Sequence, residues 1–274
     1  MMVAADARAA LPGIERIAEA FEAARADGRR AALMPYMMGG FPDLGRSREI
    51  ALAYAEAGAD LVELGVPFSD PLADGPVIHA AGTAALRAGV RTDDVLELAQ
   101  TIAGRVPVVV MCYANPIYAR GLDRFADALA ASGASGLIVP DLPYEEAPEV
   151  LEACDRRGIA LVPLVAPTTP QARLARIGER ARGFLYTVSV TGTTGERAGL
   201  AEGLAGVIAR AKALTPVPVA VGFGIATPEH AAAAAAAGAD GVIVGSRLVR
   251  AAGEAADPPA AVRELILALG RALR

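Results

Sequence analysis

Lysine is almost missing from this chain: Lys212 is the only one, and it falls in the helical run before "TPVPVAVG", away from the ends of the neighbouring apolar stretches. That argues against Schiff-base chemistry, which needs a desolvated lysine at the reacting centre. Histidine is nearly as scarce. His79 and His230 form no HxxH or HxH pair, so a zinc-dependent aldolase or hydrolase lacks its ligands, and no metal is expected. Both read as surface or helix-end residues. The two cysteines, Cys112 and Cys154, lie in apolar surroundings without metal-type spacing, which predicts reduced structural thiols and a cytoplasmic protein. No apolar run reaches about 18 residues, and the N-terminus lacks a continuous apolar core, so neither a membrane span nor a visible export signal is expected. Positive charge is also thin. A net charge of −5 without a Lys/Arg run gives no field for nucleic acid.

Apolar residues, by contrast, make up 54% of the 274 residues, enough for a large core. Three stretches echo one another: "AEAGADLVELG" (55–65), "AASGASGLIVPD" (130–141) and "AAAGADGVIVGS" (235–246), each a helix end, a glycine stop and an apolar strand. The same apolar signal recurs in "ALMPYM" near 32, "VPVVVMC" from 106, "IALVPLV" from 159, "FLYTV" from 184 and "VPVAVG" from 217, for eight candidate strands in all. They are short and continuously apolar, as parallel strands covered on both faces are. Helical patterns at 44–57, 121–132, 145–157, 170–181 and 200–214 separate them. The spacing predicts one (β/α)₈ TIM-barrel domain over residues 1–274, with an additional N-terminal helix at about 12–28 and the barrel at about 32–270. A doubly wound open sheet is the alternative. Sites of such barrels lie on the loops after the strands, and two of those intervals are long: the one opening at 60, with room for an extra helix near 76–88, and the one after 184.

The first long interval opens with "LVELGVPFSDPLADGP" (61–76). Strand alternation puts Glu63 on the face of Leu61 and Gly65, opposite Val62 and Leu64, so it can point into the barrel mouth. A carboxyl among apolar groups has a raised pKa and can act as acid and base near neutrality, whereas one on a wetter loop stays ionised; Glu63 and Asp74 fit these descriptions. Asp70, in "SDP", reads equally as turn chemistry, and Asp74 as a turn residue or helix N-cap. "VGFGIATPEH" (221–230) and "VGSRLV" (244–249) follow the seventh and eighth strands, the common phosphate position of this fold, where small residues and a helix N-terminus suit an anion. "SVTGTTGERAG" (189–199) reads as a lid over that site or as a passive loop. What remains is acid–base catalysis by carboxylates on a phosphorylated substrate, with Tyr36, Tyr113 or Tyr186 assisting.

Beyond that point the motifs carry a resemblance. "LVELGVPFSDPLADGP", "PYMMGGFP" (35–42), "MCYANP" (111–116), "GLIVPDLP" (136–143), "APTTP" (166–170), "VTGTTG" (190–195), "GFGI" (222–225) and "VGS" (244–246) closely resemble the α subunit of tryptophan synthase, in that family's order. The resemblance implies a lyase that cleaves indole-3-glycerol phosphate reversibly to indole and glyceraldehyde 3-phosphate, with no cofactor in this subunit. It assigns Glu63 as general acid/base and Asp74 as the partner of the indole N–H; Tyr186 stands beside the acid/base, Tyr36 and Tyr113 support the substrate pocket, and Thr194 is the lid threonine. Gly195, Phe223, Gly224, Gly245 and Ser246 take the phosphate, while Pro67 and Asp70 face a pyridoxal-phosphate-bearing β subunit in an α2β2 assembly. Departures from the family's pattern are Met38, where Thr or Ala is usual, His79, where Gln is frequent, and the lid's "SVTGTTGE". A free-standing lyase that releases indole has the same catalytic residues; a catalytically idle activator of a β subunit is the third reading, and intact Glu63 and Asp74 speak against it.

Overall fold

The structure is a computed structural model that describes residues 12–188, 203–222 and 224–274. An N-terminal helix, α1 (Gly13–Ala26), precedes β1 (Ala32–Met38). Then follow α2 (Leu44–Glu56), β2 (Val62–Gly65), α3 (Pro76–Arg87), α4 (Thr92–Ala103), β3 (Val108–Met111), α5 (Ala114–Arg120), α6 (Leu122–Ala131), β4 (Gly136–Ile138) and α7 (Ala147–Asp155). The second half holds β5 (Ala160–Leu161), β6 (Leu164–Val165), α8 (Gln171–Arg180), β7 (Leu185–Val188), α9 (Leu204–Lys212), β8 (Val219–Gly222), α10 (Pro228–Ala236), β9 (Gly241–Val244), α11 (Ser246–Glu254) and α12 (Pro258–Ala272). Two helices, α3 and α4, fill the long interval after β2, and α3 is the extra helix expected near 76–88.

The sheet order is β5-β4-β3-β2-β1-β9-β8-β7-β6, and every pairing is parallel. Its two outermost members are neighbours in the chain, separated only by Val162 and Pro163. The single strand expected over "IALVPLV" is therefore split: Ala160–Leu161 pairs with β4 and Leu164–Val165 with β7. Pro163 has no N–H to give a ladder. Its carbonyl instead accepts from Tyr186 N at 3.0 Å, while Val162 N donates to Leu137 O at 2.9 Å, and the ring closes as a (β/α)₈ barrel.

Alternation along each strand makes two cores. Val62, Leu64, Val108, Val110, Val219, Val221, Val242 and Val244 face outward, where they pack under the helices. Ala32, Met34, Leu61, Val109, Ile138, Ala160, Phe184, Tyr186, Ala220 and Ile243 fill the interior. The base of that interior is sealed by α1, whose Ile17 and Phe21 belong to the same inner cluster. The strands make room for it with glycine: a Cβ on Gly241 would press on Met34 and Phe21, and one on Gly183 on Ile17 and Ala160. Arg16 fastens α1 to the neighbouring loops by donating to the carbonyls of Gly133 and Ala103.

The three sequence echoes share one mechanism. Gly58, Gly133 and Gly238 end their helices at φ of 95°, 74° and 98°, a region open to glycine, and so turn the chain directly into the next strand. In two of the echoes an aspartate follows and ties down a neighbouring strand. Asp60 Oδ2 accepts from Leu33 N at 2.7 Å and Asp240 Oδ2 from Val219 N at 2.9 Å. Lys212, the lone lysine, pairs with Asp240 at 2.9 Å at this basal end, far from the strands' C-terminal ends. Cys112 and Cys154 are buried free thiols, each pushed up to about 12 by burial. No helix among the described residues is long and apolar enough to cross a membrane.

Because Phe21 is 1% exposed and touches the ring stack that continues through Phe184, Phe21→Ala is expected to cost about 3–5 kcal/mol. Urea unfolding reads this as a lower midpoint with an unchanged slope. A loss under about 1 kcal/mol would show that α1 stands outside the cooperative core.

Candidate active site

At the strands' C-terminal ends a cavity of about 770 Å³, including its open mouth, is lined by Glu63, Asp74, Tyr36 and Tyr186 together with Gly224, Gly245 and Ser246. Residues far apart in the sequence thus share one space. The rest of the lining is largely an apolar wall of Ile78, Met111, Pro140, Leu164, Ile225 and Ile243.

Glu63 sits in the middle of β2, paired in register with Tyr36 of β1 and Val109 of β3. Its inward direction follows from alternation, since Val62 and Leu64 are fixed outward by the helices. The side chain is 2% exposed, and its Oε2 has no hydrogen-bond partner among the described residues. Burial, seconded by the negative charge of Asp74, raises the carboxyl to about 8. At neutral pH it therefore holds a proton, ready to give it up to a bound molecule.

Asp74 reaches the cavity from the loop after β2, and its position is fixed from behind. Tyr113 Oη donates to Asp74 Oδ1 at 3.0 Å and accepts from Ala73 N at 3.1 Å. Phe68 stacks on Tyr113 at 5.2 Å between ring centroids, so the loop is strapped to the residue that follows β3. Asp74 does not cap the next helix: Gly75 holds that position in α3 without a side-chain bond. Partial burial raises its pKa too, opposed by the Tyr113 hydrogen bond and by nearby His79, so the contrast with Glu63 is one of degree.

Tyr36 and Tyr186 are buried phenols held well above their ordinary pKa, chiefly by burial and also by the negative charge of Glu63. Each hydroxyl lies where the next strand ends in glycine. A Cβ on Gly65 would strike Tyr36, and one on Gly222 would strike Tyr186. Gly245, packed against Tyr36, caps α11, whose first residue is Ser246. Backbone N–H groups at this end suit an anion.

Other expected residues fall elsewhere. Tyr113 supports Asp74 and is not part of the cavity wall. Met38 packs behind that wall with Ile78, Ala81 and Val249, and His79 is exposed. Pro67 is buried at the root of its loop, whereas Asp70, bonded by the Ser69 hydroxyl, and Leu72, 82% exposed, form the outer part. Thr194, Gly195 and Phe223, with the expected lid, lie outside the described residues. Among the described residues no three His, Cys, Asp or Glu side chains gather as a metal site. The apolar wall and Arg247, which also lines the cavity, were not foreseen. Met111 could have been reached by extending the inward alternation of Glu63 and Gly65 to the neighbouring β3, and Ile243 by carrying it across β1 to β9.

The chain matches the family profile described as "Tryptophan synthase alpha chain" over residues 21–272. It is 50% identical over 236 residues to the tryptophan synthase alpha chain of Synechococcus sp. (strain CC9902), covering 85% of this chain and 87% of that one. The alpha chain of Gloeobacter violaceus is 49% identical over 243 residues, 88% and 87% of the two chains. Among solved structures, Mycobacterium tuberculosis tryptophan synthase superposes with a TM-score of 0.88 at 42% identity, covering 94% of this chain and 98% of that chain. The Pyrococcus furiosus tryptophan synthase complex gives 0.81 at 35%, with coverage of 87% and 97%.

The displaced titration of Glu63 is open to infrared spectroscopy. A protonated-carboxyl band absent from Glu63→Gln is expected to titrate near 8 in the parent chain, and to move lower in Asp74→Asn, because removing the neighbouring negative charge eases ionisation. A midpoint at the ordinary carboxylate value of 4.5 would contradict the buried environment.

Proposed function

The chain belongs to the tryptophan synthase alpha chain family, and from that premise we propose that Glu63 and Asp74 divide the work of its reaction between them. The reaction is the retro-aldol cleavage of indole-3-glycerol phosphate to indole and glyceraldehyde 3-phosphate, so the enzyme is a lyase of tryptophan biosynthesis. The observation that carries the assignment is the burial of Glu63 with an unpartnered oxygen on the cavity wall.

Breaking the bond between indole and its glycerol chain requires the ring carbon to leave as something more stable than a carbanion. Protonation at C3 provides this, because the bonding electrons then restore an aromatic, neutral indole. Glu63, neutral at the start, supplies that proton, and its carboxylate then accepts one from the glycerol hydroxyl as the carbonyl forms. One carboxyl suffices, since the two transfers run in opposite directions and return it to its initial state. Protonated C3 leaves positive charge on the ring, and Asp74, held by Tyr113 on the same wall, accepts the indole N–H and answers that charge. Tyr36 and Tyr186 keep the carboxyl dry, and the apolar wall takes the ring.

At the other end, Gly224, Gly245 and Ser246 receive the phosphate, together with Gly195 and Phe223, and Thr194 closes the lid on Asp74. No organic cofactor is needed in this subunit. Indole passes to a β subunit that carries pyridoxal phosphate, in an α2β2 complex in the cytoplasm; the solved Pyrococcus furiosus relative is titled as a complex. The exposed part of the loop after β2, with Asp70 and Leu72, is the surface offered to that partner, and its root at Pro67 connects it directly to Glu63.

Glu63→Gln is expected to lower kcat by about 10²–10⁴-fold or more while substrate still binds, because it removes a proton carrier and keeps the shape. Asp74→Asn is expected to be severely impaired as well. Turnover measured beside substrate affinity decides: a loss confined to affinity would refute these roles. Assaying the isolated chain with and without β subunit, alongside a pull-down, tests the partner, and full turnover alone that β subunit leaves unchanged would favour a free-standing lyase.

A further inference from the structure

Arg247 lines the cavity beside Gly245 and Ser246, and among the described residues it is the only cationic side chain there. Other arginines of the barrel have partners close at hand: Arg29 meets Asp60 at 2.7 Å, Arg157 meets Asp127 at 2.7 Å and Arg263 meets Glu56 at 2.6 Å. Arg247 makes no hydrogen bond or ion pair with any described residue. Neither of the cavity's carboxyls, Glu63 and Asp74, forms an ion pair with it, and Asp74 is tied to Tyr113 instead.

Its position in the helix adds to the imbalance. Arg247 is the second residue of α11, whose first turn contains no acid. The amino end of a helix already carries partial positive charge, so a cation there is disfavoured and an anion is favoured. A helix start and an unpaired guanidinium therefore present positive potential to one part of the cavity, with no described carboxylate in contact with it. A bound dianion would balance both.

We propose that Arg247 is a phosphate-binding and specificity-determining residue that grips the substrate's phosphoryl oxygens with its planar fork, beside the backbone donors of Gly224, Gly245 and Ser246. This rests on the phosphate orientation given under the proposed function. Backbone dipoles alone favour any small anion; a guanidinium adds a full charge and a bidentate geometry that matches a phosphate ester.

The test compares the full-length parent with Arg247→Gln and Arg247→Lys in three binding measurements, using glycerol 3-phosphate, inorganic phosphate and indole as probes. Indole fluorescence can be followed directly because the chain has no tryptophan. Arg247→Gln is expected to weaken glycerol 3-phosphate by about tenfold to a hundredfold, in line with loss of a charge-assisted hydrogen bond, with a smaller loss in Arg247→Lys. Indole affinity stays unchanged, KM for indole-3-glycerol phosphate rises by a similar factor, and kcat remains within about twofold. Equal affinity of parent and Arg247→Gln for both phosphates would overturn the proposal. So would a parallel loss of indole affinity, the mark of a structural role. A parent that binds glycerol 3-phosphate through Arg247 but does not cleave indole-3-glycerol phosphate would sink the lyase reading and uphold the anion site.

Discussion

Taking the carboxyl of Glu63 out of water is the constraint to which the surrounding structure answers. An ionised carboxylate could not lie in this interior without a partner, and none of the described side chains offers one, so the group keeps its proton and rises to about 8. That state depends on three things: a strand that aims the side chain inward, neighbours that are bulky but uncharged, and a barrel sealed beneath. β2 supplies the first through alternation, Tyr36 and Tyr186 the second, and α1 with Ile17 and Phe21 the third. The stack from Phe21 through Phe184 to Tyr186, at 6.0 and 6.5 Å, joins the basal seal to the catalytic end.

The second carboxyl is handled in the opposite manner. Asp74 is on a loop, where conformational freedom would blur its position, and the structure restrains it with a hydrogen bond and a ring stack that both run to Tyr113. A strand positions one acid and a tyrosine positions the other. The outer part of the same loop leaves Leu72 in solvent, so the segment that orients Asp74 is continuous with the surface assigned to a partner.

Much of this was legible in the sequence because it depends on local rules. Continuous apolar runs and the glycines at 58, 133 and 238 mark strands and helix ends, and alternation alone directs Glu63 inward. The break in the fifth strand was not legible: Pro163 sits inside "IALVPLV", where apolar character conceals that two different neighbours share the segment. The strap on Asp74 was hidden for another reason, since Tyr113 lies 39 residues away and only the pairing of β2 with β3 brings them together. Nothing in the sequence singles out Arg247, because its place in the cavity lining depends on how distant strands and loops come together around it.

The split at Val162 and Pro163 also distributes stiffness around the ring. β5 and β6 each pair through only two residues, whereas β1 with β9 and β2 with β3 each pair through four, and β1 lies midway round the sheet, four strands from either end of its order. Tyr36 on β1 and Glu63 on β2 thus occupy the best-braced arc, while Leu164, part of the apolar wall, adjoins the seam. Hydrogen bonding between strands is therefore sparse beside Leu164 and dense along the arc that carries Glu63, so the barrel places its cross-links where the proton carrier needs a fixed position.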